Sequence, residues 1–534
     1  MSATLERPRG SASSRASVQR PSEAPHSARP SRRARILDVA TVALPCLLAA
    51  GLVFYELAAR SLWLDEAATV SIASQHGAAL WHAIAHDGGN LLGYYLLEHV
   101  LTGWFGHAPE LIRLPSALAT VGTVALSVLL ARRLFDRRVA FASGVLVAMS
   151  LPLVFWGQDA RGYALMVMFI VASFLALARM LDAPRVSRYA WAAYAAALVL
   201  AIYMSFVAAL VVPAQLLVVL VGRRRRLPAV ASALAAVAAL CVPIVVLAAA
   251  RGSGQLFWVP VVDVKRIDEM LRWLVSAGLP PNVHRSSSGT PLLAITLLAL
   301  VVPVVRLLRR PAWQPALLLS WLLVPLALAL IESLIGQPVA LARTSLVALP
   351  AVSLLLAWGL LSDDPRSRAL PIWLGWSVVA VLIALRALQL APSYGASPEN
   401  WKAAARYVGQ RTQAGDCIAF YPLDGRMAFD FYASGRGFRA PLPAPVLPAV
   451  RWGVLRPYVE RYATLSTPQT APVAARCSRL WLIASHEGQP DGPPPARANL
   501  ARYRALQAEL ARVYPRRTAA KFGWASPVRV DLLQ

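Results

Sequence analysis

Two adjacent carboxylates, Asp65 and Glu66, stand just past a long apolar stretch, in the segment Trp63–Leu64–Asp65–Glu66–Ala67. A carboxylate within reach of a hydroxyl can take its proton as a general base. Asp65 also suits a helix N-cap, with the helix beginning at Glu66; capping accounts for one acid and not both. Next comes the polar turn His86–Asp87–Gly88–Gly89–Asn90, which alone reads as an ordinary loop. Arg113 opens a later apolar stretch. Further on lies Gln158–Asp159–Ala160–Arg161–Gly162–Tyr163, and Arg343 precedes another apolar run. An isolated Asp–Arg pair at a surface is worth little energetically. A set of such groups on one face is different, because arginine's forked donors suit anionic oxygens. Asp65 with Asp87 or Asp159 could also hold a divalent ion, and hard oxygen ligands favour Mg or Mn over Zn.

The elements that must position these residues are membrane spans. The 534 residues are 57% hydrophobic and 15% charged, with mean hydropathy +0.53. A soluble domain has about 45–50% apolar and about 25% charged residues. Eleven apolar stretches recur before residue 391, at 36–58, 113–131, 139–156, 162–181, 189–203, 205–222, 229–249, 290–308, 313–333, 346–361 and 369–390. About 20 residues of helix cross a bilayer. The segment Tyr94–Phe105 is apolar and short, which places it as an interfacial or re-entrant helix. Counting it as a span would raise the total, so about 11–13 transmembrane helices are expected.

The formal charge of +26 could point to nucleic acid. Its placement does not. The arginines gather in brief loops between apolar stretches, such as Arg132, Arg133, Arg137 and Arg138, or Arg223 to Arg226. That is the positive-inside pattern of cytoplasmic loops. With these loops inside, residues 1–35 form a polar cytoplasmic tail, which reads as disordered. Residues 36–391 form the membrane module, with long outside loops at 59–112 and 250–288. Asp65, His86, Asp87, Arg113, Asp159, Arg161 and Arg343 then share the outer, headgroup-level face.

Residues 392–534 contain no spanning segment and read as an extracytoplasmic α/β domain. Trp401–Gln410 and Leu500–Val513 have helical periodicity, and Ser397–Pro398–Glu399–Asn400 is a helix start signal. Cys417–Tyr421 and Leu480–Ala484 are short apolar runs that suit buried strands. Cys46 and Cys241 lie in apolar stretches and read as packing residues. An oxidising compartment would allow Cys417 and Cys477 to pair, provided the fold brings them close enough.

In these segments the chain resembles the GT-C type membrane glycosyltransferases, and most of all the superfamily of protein O-mannosyltransferases and lipid A aminoarabinose transferases (glycosyltransferase family 39). The ordered set is Trp63–Leu64–Asp65–Glu66–Ala67, Asp87 with Tyr94–Tyr95–Leu96–Leu97, Arg113–Leu114–Pro115–Ser116 and Arg132–Arg133–Leu134–Phe135. Gln158–Asp159–Ala160–Arg161–Gly162–Tyr163 looks like that family's Gln-Glu-Ala-Arg-x-Tyr segment. Asn400–Trp401–Lys402–Ala403–Ala404 and Gly415–Asp416–Cys417 look like the outer domains of its bacterial members. There are departures. Where the family usually carries a Pro-Pro pair preceded by His or Lys, this chain has Gly88–Gly89–Asn90–Leu91–Leu92–Gly93. It also has Tyr203–Met204–Ser205–Phe206 where many relatives have a His-Tyr pair.

The resemblance implies a GT-C fold in a bacterial plasma membrane and transfer of a sugar from a polyprenyl-phosphate donor, with inversion, to a glycan, lipid or protein acceptor. It implies Asp65 as general base with Glu66 as second choice. It implies Arg113, Arg161, Arg343 or His86 at the donor phosphate, and Asp87, Asn90, Tyr94 and Asp159 toward substrate. A flippase of lipid-linked sugars would instead place ionisable groups near the bilayer midplane. A non-catalytic scaffold would use the outer domain for partner binding alone. No cofactor is assigned, and a divalent cation, Mg or Mn, is left open.

Overall fold

The computed structural model describes residues 32–183, 186–252, 256, 259–278, 287–363, 370–433, 442–452 and 462–534. Residues 1–31 of the tail expected at 1–35 and parts of the outer loop 250–288 lie outside them, while residues 32–35 belong to the first helix and not to the tail.

The membrane module is a helical bundle. In chain order its helices are α1 (Arg32–Phe54), α2 (Leu64–Ala73), α3 (Gly77–His86), α4 (Leu92–Phe105), α5 (Pro109–Leu134), α6 (Arg137–Ala148), α7 (Leu151–Gly157), α8 (Tyr163–Asp182), α9 (Arg188–Met204), α10 (Val211–Gly222), α11 (Leu227–Arg251), α12 (Val264–Leu274), α13 (Gly289–Arg309), α14 (Trp313–Ile335), α15 (Leu349–Leu361) and α16 (Ile372–Leu390). Among the described residues, eight helices are long and apolar enough to cross a membrane, or nine if the bent pair α6–α7 is one span. The stretches expected at 189–203 and 205–222 form the shorter apolar helices Arg188–Met204 and Phe206–Gly222. Each of the eleven expected stretches is therefore helical, and α4 is not among the helices long enough to span.

Local chemistry sets the ends. Pro109 starts α5 where its missing N–H costs nothing, and Arg132 and Arg133 close it at the negative end of the helix dipole. Asp136 caps α6 by accepting from the amides of Arg138 and Val139. The chain then bends by 57° between α6 and α7, beside Ser150 and Pro152. The buried guanidinium of Arg386 on α16 takes the Leu146 carbonyl near this bend, so a polar group near the break is satisfied inside the apolar core. The loop after α5 meets those after α8 and α15, where Arg133 pairs with Asp182 and Arg138 with Asp363.

At the other end sits the α/β region. Its elements are α17 (Trp401–Gly409), β1 (Cys417–Tyr421), α18 (Gly425–Ala433), β2 (Ala444–Leu447), α19 (Thr467–Arg476), β3 (Leu480–Ala484), α20 (Pro494–Val513), β4 (Arg517–Phe522) and β5 (Val528–Leu533). The sheet order is β2-β1-β3-β5-β4. β1 is parallel to β2 and β3, and β5 is antiparallel to β3 and β4. β1 and β3 are buried at every residue, as central parallel strands covered on both faces must be. Alternate residues face opposite layers. Ala419, Tyr421 and Leu482 pack with Tyr503, Leu506 and Leu510 of α20. Ile418, Phe420 and Trp481 pack with Trp401 of α17 and Phe429 of α18. Cys417 and Cys477 are joined by a disulfide with Cα atoms 5.7 Å apart.

Candidate active site

α2 carries both carboxylates, clamped between the bundle and the α/β region. Its start differs from the expected one. The N-cap is Trp63, which has no side-chain cap, and Asp65 lies in the first helical turn. Asp65 is therefore not the cap, and its carboxylate is left for other use.

The two acids part at once. Glu66 points inward and is 1% exposed. Its Oε1 accepts from Arg113 Nε at 2.8 Å and from the Ala160 amide at 2.8 Å. Its Oε2 accepts from Arg113 Nη2 at 2.7 Å. Arg113 spends its Nη1 on the carbonyls of Leu57 and Arg60. This forked pair is fully satisfied, which is the condition under which a buried ion pair is tolerated. It leaves Glu66 poorly placed to act as a base and Arg113 poorly placed to bind a phosphate.

Asp65 points the other way and is 33% exposed. Its Oδ2 lies 3.5 Å from Arg161 Nη2 and 3.8 Å from Arg343 Nη1. Arg161 is steadied by the Asp65 carbonyl at 3.2 Å and Thr69 Oγ1 at 3.3 Å. Its buried Nε has no hydrogen-bond partner among the described residues. Tyr95 links Arg161 to Asp87: its hydroxyl donates to Asp87 Oδ2 at 2.8 Å and lies 3.5 Å from Arg161 Nη1. Asp87 thus joins this centre. Arg343, in the 3₁₀ helix Ala342–Ala348, lies over the Tyr163 ring at 5.9 Å.

The loop at 158–162 ties these pieces together. Gln158 donates to the carbonyls of Val53 and Tyr55. Arg60 returns to the carbonyls of Phe155 and Gln158. Asp159 is 2% exposed and accepts from Trp63 Nε1 at 2.9 Å. Burial, and then the Glu66 carboxylate, push its carboxyl above the ordinary value, against the pull of Arg60, Arg113 and Arg161. Gly162 must be glycine for room, since a Cβ there would sit 2.6 Å from the Met204 carbonyl and 3.2 Å from Tyr94 Cβ.

Other expected contacts go elsewhere. The Tyr94 hydroxyl, fully buried, donates to the Ile112 carbonyl at 3.1 Å. Asn90 Oδ1 accepts, at 3.4 Å each, from Ser205 Oγ and the Phe206 amide, where α9 ends. These bonds tie the start of α4 to α5 and to the end of α9. His86 is half-buried at the end of α3. Among the described residues no three His, Cys, Asp or Glu side chains converge in a metal-binding group. Of the three carboxylates that the sequence leaves open for a divalent ion, Asp87 accepts from Tyr95 and Asp159 from Trp63, and Asp65 faces Arg161 and Arg343.

Several residues at the site were not singled out by the sequence. Tyr95 stands beside Tyr94, and a helix turns successive residues by about 100°, so only one of the pair can face Arg161. Glu399, Ser397 and Tyr432 touch the loop before Asp65 from more than 330 residues away. The helix start signal at 397–400 marks Ser397 and Glu399 locally, but no local pattern ties any of the three to Asp65.

The family model for dolichyl-phosphate-mannose-protein mannosyltransferases matches residues 91–248. No curated protein matches the chain by sequence. Solved structures match over most of its length. The crystal structure of ArnT from Cupriavidus metallidurans bound to undecaprenyl phosphate is similar with a TM-score of 0.52 at 15% identity, covering 92% of this chain and 98% of that one. The archaeal oligosaccharyltransferase AglB from Archaeoglobus fulgidus, in complex with an inhibitory peptide and a dolichol-phosphate, is similar with a TM-score of 0.55 at 12% identity, covering 86% of this chain and 70% of that one. The chain is a multi-span membrane protein with the GT-C glycosyltransferase fold.

Proposed function

We propose that this protein transfers a sugar from a polyprenyl-phosphate donor to an acceptor hydroxyl on the outer side of a bacterial plasma membrane. The observation that carries the reading is the half-open Asp65 carboxylate between Arg161 and Arg343. It lies at the bundle end opposite the arginine-rich loops, which mark the cytoplasmic side. The bound undecaprenyl phosphate of the similar ArnT structure supports a lipid-phosphate donor.

The chemistry follows from the charges. The acceptor oxygen attacks the anomeric carbon as its proton passes to the Asp65 carboxylate. The bond from that carbon to the phosphate oxygen breaks, and polyprenyl phosphate leaves with the electron pair. A single displacement inverts the anomeric centre, through an oxocarbenium-like transition state. The departing phosphate gains charge, and Arg161 and Arg343 are placed to stabilise it. Glu66 and Arg113 act from behind, fixing α2 against α5.

The test is consumption of radiolabelled undecaprenyl-phosphate mannose, arabinose and aminosugar by membranes holding the protein, with envelope extract as acceptor source. One donor should be converted to polyprenyl phosphate and a labelled product. Failure of every donor with folded protein would contradict the reading.

A further inference from the structure

The helix that carries Asp65 begins without a cap of its own. Trp63 occupies the N-cap position and its side chain makes no capping hydrogen bond. The first amides of a helix need acceptors, and carboxylates are favoured there by the helix dipole. Here the acceptor comes from the other end of the chain. Glu399 Oε2 accepts from the Leu64 amide at 3.0 Å. Leu64 is the first residue of α2 and the neighbour of Asp65.

Glu399 is itself held firmly. It is 1% exposed. The Trp401 indole donates to the same Oε2 at 2.7 Å. His486 Nε2 lies 3.2 Å from Oε1. His486 follows β3, at the C-terminal end of the parallel strands β1 and β3, where α/β sheets present their functional loops. Three further bonds fix the approach to α2. The Ser61 amide donates to Ser397 Oγ at 3.0 Å, the Lys402 amide to Ser61 Oγ at 3.0 Å, and the Leu62 amide to the Tyr432 hydroxyl at 2.6 Å. Ala67 of α2 packs in the same cluster as Trp401.

We infer that Glu399 is a positioning residue that caps α2 from the α/β region and so aims Asp65 between Arg161 and Arg343. The outer region is then part of the machinery for turnover. The inference rests on the reading of Asp65 as the base.

The test uses the full chain in lipid nanodiscs, as wild type, Glu399→Ala, Glu399→Gln, Tyr432→Phe and Asp65→Asn. Hydrogen exchange is followed on peptides covering α2 and, for comparison, α8. Turnover is measured with whichever of undecaprenyl-phosphate mannose, arabinose or aminosugar the wild type consumes. In Glu399→Ala, exchange at 64–66 should rise about tenfold, as loss of a charged acceptor implies, with α8 unchanged. Its kcat should fall about a hundredfold, the scale of a small misplacement of a catalytic group, with KM for the donor little changed. Glu399→Gln keeps an acceptor oxygen and should restore most of both. If Glu399→Ala disturbs α8 too, Glu399→Gln and Tyr432→Phe decide the matter through the α2 peptide. Unchanged α2 exchange, or a raised KM with kcat intact, would overturn the inference. Full turnover by Asp65→Asn beside faster α2 exchange in Glu399→Ala would overturn the base assignment and support the cap.

Discussion

Asp65 and Glu66 are consecutive residues of α2 that serve opposite ends. Glu66 is sealed in a two-pronged ion pair with Arg113, while Asp65 opens toward Arg161 and Arg343 with a third of its side chain exposed. One acid holds the helix in place and the next is free for chemistry. The same division separates the arginines, with Arg113 inside and Arg161 and Arg343 at the opening.

Glu66→Ala should cost the fold. Removing one partner of a buried, hydrogen-bonded pair strands the other charge, at about 3–5 kcal/mol. Arg113→Ala should do the same from the other side. Thermal unfolding in detergent should show both variants well below wild type, with Asp65→Asn unchanged. Equal stability of all three would contradict the division of roles.

Arg161→Ala and Arg343→Ala should fold and lose turnover. In the proposed mechanism each substitution removes one cation from the leaving phosphate, a loss on the order of 10²–10³ in kcat. Arg343→Lys should recover part of it, since a point charge remains without the fork. Steady-state kinetics on the consumed donor checks this.

Asp430 of α18 gives the α/β region a pH dependence. Burial pushes its carboxyl up to about 6, against the pull of Arg426. The unfolded value is about 3.9. A carboxyl raised in the folded state binds its proton more tightly there. Its stabilising contribution is complete below about pH 4 and is lost as pH rises through about 6. The wild type should therefore lose stability relative to Asp430→Asn between those values, and the gap should stay constant above pH 7. Melting temperatures at stepped pH test it; a gap that never changes would contradict it.

The Cys417–Cys477 disulfide closes a separation of 60 residues. Breaking it by Cys417→Ser should cost about 2–4 kcal/mol. Both cysteines are buried in the fold, so labelling is done on protein denatured directly from whole cells, where both thiols should react with a maleimide only after reduction. Labelling without reduction would contradict the oxidising, outer location proposed for this region.

Much of this architecture was legible in the sequence, for physical reasons. Hydropathy is a local property, so each apolar stretch marked a helix, and arginine-rich loops marked one end. β1 and β3 were visible as short apolar runs because central parallel strands are buried on both faces. Strands β2 and β4 were not, since β4 is mostly exposed and β2 is only four residues long, and β5 was not either. The site was half legible. Asp65, Arg161 and Arg343 stood out as charges at one face, and the structure brings them within 4 Å. That Glu66 and Arg113 belong to each other depends on a contact 47 positions apart. The cap of Glu399 on Leu64 spans 335 positions. Neither distance leaves a local signature.

The most direct measurement of the central claim is turnover of radiolabelled undecaprenyl-phosphate sugars by membranes containing wild type or Asp65→Asn, at matched amounts of folded protein. The account predicts that wild type consumes one donor and that Asp65→Asn loses it by about 10²–10⁴. A variant that turns over the same donor at the wild-type rate would contradict it.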